Sequence, residues 1–109
     1  MANTFKLKTK ANVGVTTVGI YTAPAATTTV VIGITLANTS GSGVNVGVGI
    51  TRSGTTEDVK LLKNAPIPQG SSLEFMGGNK VVLETKDTLT VDSDTNNSVD
   101  AALTIMEIT

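Results

Sequence analysis

Apolar and polar residues alternate with a period of two along almost the whole chain, and this pattern constrains the fold most strongly. In the clearest stretch, Val30–Ala37, four branched apolar residues alternate with Val31, Gly33, Thr35 and Ala37. Successive side chains of a β-strand point to opposite faces, so the pattern indicates strands with two distinct faces. No segment with helical periodicity and a capping residue interrupts it. The sequence therefore predicts an all-β protein.

Turn-forming residues divide the alternating segments into about eight short strands. The stretch Asn38–Gly43 separates Val30–Ala37 from Val44–Thr51, and this arrangement predicts an antiparallel hairpin. A second tight turn is expected at Gly77-Gly78-Asn79. The segment Asn64–Gly70 contains two prolines, which remove ladder donors, so we expect an extended crossover there instead of a central strand.

The chain length allows one folded unit. Its 109 residues would leave two domains too small to bury their own cores. Short strands at this spacing are typical of a sandwich or barrel. We therefore expect a single antiparallel β-sandwich, jelly-roll-like, over residues 1–109, with residues 1–10 forming either an arm or an edge strand.

The phase of the alternation predicts which side chains fill the core. The expected inward set is Ile32, Ile34, Leu36, Val46, Val48, Leu83, Leu89, Val91 and Leu103. Aromatic residues are only 3% of the chain, and they normally contribute the largest single burials. The isolated domain should therefore have modest stability, which contacts with like subunits or docking on a larger shell would increase.

The composition excludes most kinds of catalytic and metal site. The chain has no His and no Cys. A disulfide scaffold, a zinc finger, a thiol nucleophile, a Ser-His-Asp triad and a histidine metal site are therefore excluded. The glycines at 41–43 and 77–78 precede neither a helix nor a Walker lysine, so we expect turn glycines there. The sequence predicts a non-enzyme without a cofactor.

The run Asp92–Asn97 has the spacing of the first ligands of a calcium loop. Asn97 stands where such a loop needs Gly, and Leu103 stands where it needs Glu. We favour a hairpin loop whose Asp and Asn side chains bond their own backbone. Weak calcium binding at Asp92–Asn96 is the alternative.

Charge and hydropathy argue against nucleic-acid and membrane partners. The net charge is −1, so the basic footprint of a nucleic-acid binder is missing. The longest apolar stretch, Val30–Ala37, is far too short to span a bilayer. The first twenty residues lack the apolar core of an export signal. A virion component, assembled in the host cytoplasm and exposed only after lysis, accounts for a Thr- and Gly-rich all-β chain of this kind.

Two groups of residues are candidate contacts with a partner protein. They are Phe5, Lys6, Leu7, Lys8 and Lys10 in the N-terminal segment, and Gly47 and Gly49 in the predicted hairpin. The N-terminal residues form either a lysine-protected edge strand or an arm on an acidic neighbour. The two glycines mark either a bulge or a surface that packs closely against another subunit.

Five segments carry a resemblance to a known family. They are residues 20–24 (IYTAP), 31–38 (VIGITLAN), 62–73 (LKNAPIPQGSSL), 81–89 (VVLETKDTL) and 105–108 (IMEI). In this order they resemble small virion structural proteins of tailed bacteriophages, which are frequent in phages of cyanobacteria and other aquatic bacteria. The resemblance implies a non-enzymatic β-sandwich in many copies on the particle, with capsid or tail subunits as partners and homo-oligomer contacts.

The sequence leaves two roles open for such a protein. One is decoration or cementing of the capsid surface. The other is a neck, tail or fibre module that binds a host receptor or glycan. Sugar binding needs exposed aromatic side chains, and only Tyr21 is a candidate, although it could equally cap the core. The scarcity of aromatic residues favours the structural role.

Overall fold

The computed structural model describes residues 3–54, 57–75 and 80–109, except for the side chain of Phe75. The turn predicted at Gly77-Gly78-Asn79 lies outside the described residues. Nine strands are present in these ranges: β1 (Asn3–Val13), β2 (Val18–Thr22), β3 (Thr28–Asn38), β4 (Val44–Thr51), β5 (Asp58–Ile67), β6 (Ser72–Phe75), β7 (Val81–Leu83), β8 (Thr88–Ser93) and β9 (Val99–Ile108). None of the described residues belongs to a helix that could cross a membrane.

The strands form two antiparallel sheets. The five-stranded sheet has the order β1-β9-β3-β6, with β7 also paired to β3. The four-stranded sheet has the order β2-β8-β4-β5. Because β6 and β7 pair with different parts of β3, together they occupy one edge position, so the sandwich has eight strand positions. The predicted all-β class and sandwich architecture are confirmed. The predicted hairpin of Val30–Ala37 with Val44–Thr51 is wrong, because β3 and β4 lie in different sheets and each pairs with other strands.

The strand pairing is nested, as in one long hairpin rolled into two sheets. The first strand pairs with the last, β2 pairs with β8, β3 pairs with β6 and β7, and β4 pairs with β5. The additional pairs β3–β9 and β4–β8 then join these ribbons side by side. Nested antiparallel pairing across two sheets is the jelly-roll arrangement.

Residues 64–67 belong to an edge strand instead of a crossover. They continue β5, which is the last strand of its sheet among the residues described, and Pro66 lies opposite Asn45 of β4. Proline is tolerated at an edge because its missing N–H faces away from the ladder. The chain passes to the other sheet after Ile67, through the turn that precedes β6. The prediction from the two prolines, that Asn64–Gly70 is not a central strand, is correct.

The core lies between the two sheets and consists mainly of branched aliphatic side chains. Eight of the nine predicted core residues are buried, and only Ile32 is not. Val31, which the alternation placed on the outer face, is fully buried instead. The register of β3 against β9 shifts between Val31 and Gly33, so Ile32 is the extra residue of a β-bulge. The prediction for Ile32 is wrong because a bulge reverses the phase of every residue before it.

Candidate interaction surface

The N-terminal segment is the outer strand of the five-stranded sheet. It pairs with β9 from Asn3↔Ile108 to Lys10↔Ala101 without a break. Phe5 and Leu7 point away from the core and are 69% and 65% exposed. Lys6, Lys8 and Lys10 point to the opposite side of the strand. Apolar and basic side chains are therefore both placed along one free sheet edge.

Lys6 contacts a buried carboxylate that the sequence analysis did not single out. The Lys6 ammonium lies 2.9 Å from Oε1 of Glu107. The Tyr21 hydroxyl donates to Oε2 of Glu107 at 2.6 Å and lies 2.8 Å from Oγ1 of Thr29. These four side chains come from β1, β2, β3 and β9, so the network links the two sheets at one end of the sandwich.

The environment of this network shifts two pKa values in opposite directions. Burial, together with the hydrogen bond to Glu107, raises the pKa of Tyr21 to about 12. The hydrogen bond from Tyr21, supported by Lys6, holds the pKa of Glu107 below its ordinary value. Tyr21 is thus a core cap whose hydroxyl has partners, and its ring is not available for stacking on a sugar.

A second cluster of charges lies where β4 and β7 end and β8 begins. Nε of Arg52 lies 3.1 Å from Oδ2 of the buried Asp87, and the same guanidinium also pairs with Glu84. Burial alone would raise the pKa of Asp87, but the backbone N–H groups of Ser53 and Glu84 and the Arg52 guanidinium outweigh it and lower the pKa. The Asp87 carboxylate is held by these partners, and the chain has no histidine to act beside it, so the geometry favours a structural role.

Gly47 and Gly49 are buried in β4, in the middle of the four-stranded sheet. A Cβ at Gly47 would lie 2.6 Å from Oδ1 of Asp92, and one at Gly49 would lie 2.9 Å from the carbonyl oxygen of Val59. The close neighbours of both glycines therefore belong to the chain's own adjacent strands. The register of β4 against β5 is irregular beside them, which is the bulge that the sequence analysis considered.

The carboxylates of the Asp92–Asn97 run are bonded to different parts of the chain. Asp92 accepts a hydrogen bond from the Thr17 hydroxyl, and Asp94 accepts one from the backbone N–H of Asn45. The buried hydroxyls of Ser93 and Ser98 lie 2.7 Å apart, and the hydrogen bond between them joins the two ends of the loop. Among residues 3–54, 57–75 and 80–109, no group of three acidic side chains is arranged to hold a metal ion. Whether the loop binds calcium stays a prediction.

No protein-family model matches the sequence, and no curated protein matches it. Three solved structures are similar in fold. A chain from the disulfide-linked pili of Bacillus endospore appendages is 15% identical, with a TM-score of 0.57 over 99% of this chain and 87% of that one. A chain from the capsid of a Helicobacter pylori bacteriophage is 11% identical, with a TM-score of 0.58 over 98% and 87%.

The third similar structure is that of infectious bursal disease virus, Gx strain. Its chain is 13% identical, with a TM-score of 0.59 over 96% of this chain. The match covers only 32% of the viral chain, so there it corresponds to one part of a larger protein. At such identities the three likenesses establish a shared jelly-roll-like β-sandwich fold.

Proposed function

We propose that this chain is a non-enzymatic structural subunit of a bacteriophage virion, present in many copies and decorating or cementing the capsid surface. The observation that carries the proposal is the jelly-roll-like sandwich fold, which the chain shares over almost its whole length with a chain from a phage capsid. Fold alone does not assign function, so the surface chemistry has to agree with it.

The surface chemistry supports assembly over catalysis or ligand binding. Jelly rolls serve as capsid proteins, lectins and cupins. A cupin-type metal centre has no histidine to use in this sequence. A lectin needs exposed aromatic rings, whereas Tyr21 is buried and bonded to Glu107. A subunit of a shell needs exposed apolar contacts, and Phe5 and Leu7 supply them.

The number of copies per particle tests the proposal. Virions of a phage whose genome encodes this chain are purified on a density gradient, and the chain is quantified by mass spectrometry against the major capsid protein. A number comparable to that of the capsid protein is expected for a decorating or cementing subunit. A number comparable to that of the portal or fibre proteins would indicate the neck, tail or fibre role instead. Absence from purified virions would overturn both.

A further inference from the structure

The outer faces of the two sheets differ in chemistry. The four-stranded sheet carries polar or charged residues on its outer side, such as Thr51, Thr88, Thr90 and Asp92. The five-stranded sheet carries Phe5, Leu7, Ile32 and Met106 on its outer side, and the charged Glu74 and Asp100 lie on the same side near its margins. We call this second surface the apolar face. An exposed apolar surface of this kind marks an interaction site.

One transverse row of side chains forms a ridge on the apolar face. The strand register places Phe5 opposite Met106, Met106 opposite Val30, and Val30 opposite Val82. The row therefore crosses β1, β9, β3 and β7. Ile32, pushed outward by the bulge, lies beside it on β3. These residues are the apolar ridge.

A second row forms a trough; it lies four residues further along β1 and β9, and five residues further along β3 because of the bulge. Here the register places Thr9 opposite Ala102 and Ala102 opposite Thr35. Because these side chains are small, the surface forms two shallow grooves, of about 310 and 330 Å³, which both include Ala102 and Thr35 in their walls. On the edge strand β6 the same row ends in Glu74, which lies opposite Thr35, and Lys10 and Asp100 also line the grooves.

We propose that the apolar face binds the same face of a second copy of this chain, so that the ridge of each copy fills the trough of the other. The two rows are about 13 Å apart along the strands. The row Leu7–Thr104–Gly33 lies midway between them. A two-fold axis in the plane of contact, at the level of Thr104, places Met106 of each copy over Ala102 of the other. A two-fold contact uses the same patch on both subunits, which is what this face offers.

The size of the face agrees with a contact between two copies. Four strands at about 4.8 Å spacing and ten residues at about 3.3 Å rise cover roughly 600 Å² in projection. Standard interfaces bury about 800 Å² per partner, so the face is close to sufficient for a specific dimer. Two sheets pack face to face at about 10 Å when apolar side chains interdigitate, as a ridge and a trough allow.

The distribution of charge also favours a second copy. The centre of the apolar face is uncharged, so self-contact would place no like charges opposite each other there. The charged groups lie at its margins, Glu74 on the edge strand β6 and Asp100 near one end of β9, and a polar margin is typical of specific interfaces. A cementing protein must contact its neighbours on the shell, so this interface rests on the structural role proposed above.

The test introduces a negative charge in the ridge and a positive charge in the trough, in two separate variants. The oligomeric state of each variant and of their mixture is measured by sedimentation velocity over a range of concentrations. Wild type is expected to dimerise. Met106→Glu and Ala102→Lys should each be monomeric, since a charge would enter an apolar contact without a partner. An equimolar mixture of the two variants should recover the dimer, because one contact then pairs Glu with Lys and the other is wild type. Val15→Glu is the matched control, since Val15 is 56% exposed in a loop outside the apolar face, and it should dimerise normally.

A further variant separates loss of contact from loss of folding. Leu7 is exposed and meets Leu7 of the other copy near the axis, so Leu7→Glu should keep the circular dichroism spectrum and raise the dissociation constant at least tenfold. A wild type that stays monomeric at its highest soluble concentration would overturn the proposal. So would single variants that dimerise like wild type, or a mixture that stays monomeric. These results concern the isolated protein and are independent of the copy number on virions.

Discussion

Glu107 is the residue whose environment departs most from that of a surface carboxylate. It is 6% exposed and shares the inward phase of Leu103 and Ile105 on β9. A buried charge is costly unless it is paired and hydrogen-bonded. Tyr21 and Lys6 supply both kinds of partner, and they do so from different sheets. The residue therefore fixes the relation between β2 and the five-stranded sheet at this end of the sandwich.

Glu107→Gln should lower the free energy of unfolding at neutral pH by about 2 kcal/mol, the usual contribution of a hydrogen bond to a charged group. The pKa of Glu107 is lowered by folding, so its contribution is fully present above the ordinary value of 4.5 and is lost as the pH falls through the lowered value. Urea unfolding of both proteins across this range should show a difference that shrinks on acidification.

The control for Glu107→Gln is Asp58→Asn, which removes an exposed carboxylate at the start of β5. Its effect should be near zero, as for most surface substitutions. A difference between wild type and Glu107→Gln that is independent of pH would contradict the assignment of the ionised carboxylate to the network.

Tyr21 gives a spectroscopic measure of the same network. It is the only tyrosine in the chain, so tyrosinate absorbance reports on it alone. We expect a titration midpoint near pH 12 in the native protein and near 10 in urea. Because the unfolded state loses the proton first, stability should fall as the pH rises from 10 to 12. A native midpoint near 10 would mean that the hydroxyl is not buried against Glu107.

The sequence alone predicts that Glu107 is buried, but it does not predict which side chains bind it. The alternation of β9 predicts that Glu107 points inward, as it predicts for Leu103 and Ile105, and all three side chains are buried. Its partners cannot be deduced in this way, because Tyr21 lies 86 residues away along the chain. Only the strand pairing brings β2 next to the end of β9.

At the scale of the strand, the bulge in β3 separates two isoleucines that look equivalent in the sequence. Ile34 is 2% exposed, whereas Ile32 is half-buried on the outer face. Ile34→Asp should unfold the domain, because a lone carboxylate would be placed in the core without a partner. Ile32→Asp should remain folded with a small decrease in melting temperature. Circular dichroism melts of the two variants check this, and equal loss of structure in both would contradict the bulge.

The N-terminal strand gives a second prediction at this scale. Since β1 pairs continuously with β9 as an edge strand, deletion of residues 1–10 should lower the melting temperature strongly by exposing the edge of β9 and removing Lys6 from Glu107. The deletion is compared with Lys8→Ala, which keeps the strand. A truncated protein that melts like the full chain would instead support the arm interpretation.

The existence of the strands was predictable from the sequence, whereas the bulge in β3 was not. Alternation identified the strands that contain Leu36, Val46 and Leu103 correctly. The bulge at Ile32 has no local signal, because the residues around it are all apolar or small. The buried glycines of β4 were recognised as unusual, but the atoms that cover them belong to β5 and β8 and depend on the tertiary structure.

At the scale of the whole molecule, the chain combines a thin core with one apolar outer face. The core contains one aromatic side chain among the residues described, Tyr21. Its remaining members are aliphatic, and each Val, Leu or Ile among them contributes about 1.5–3 kcal/mol on full burial. Covering the apolar face in an assembly would add burial that the isolated domain lacks. The all-β class followed from periodicity, but the nested pairing did not, since antiparallel strands of this length can pair in many orders.

The central claim is that the chain is a subunit of a virion shell, and a cryo-electron microscopy map of purified particles tests it most directly. We predict density for this jelly roll at many symmetry-related positions on the capsid surface, with Phe5 and Leu7 covered by another subunit. A map that accounts for every capsid-surface protein and contains no density for this fold would contradict the claim.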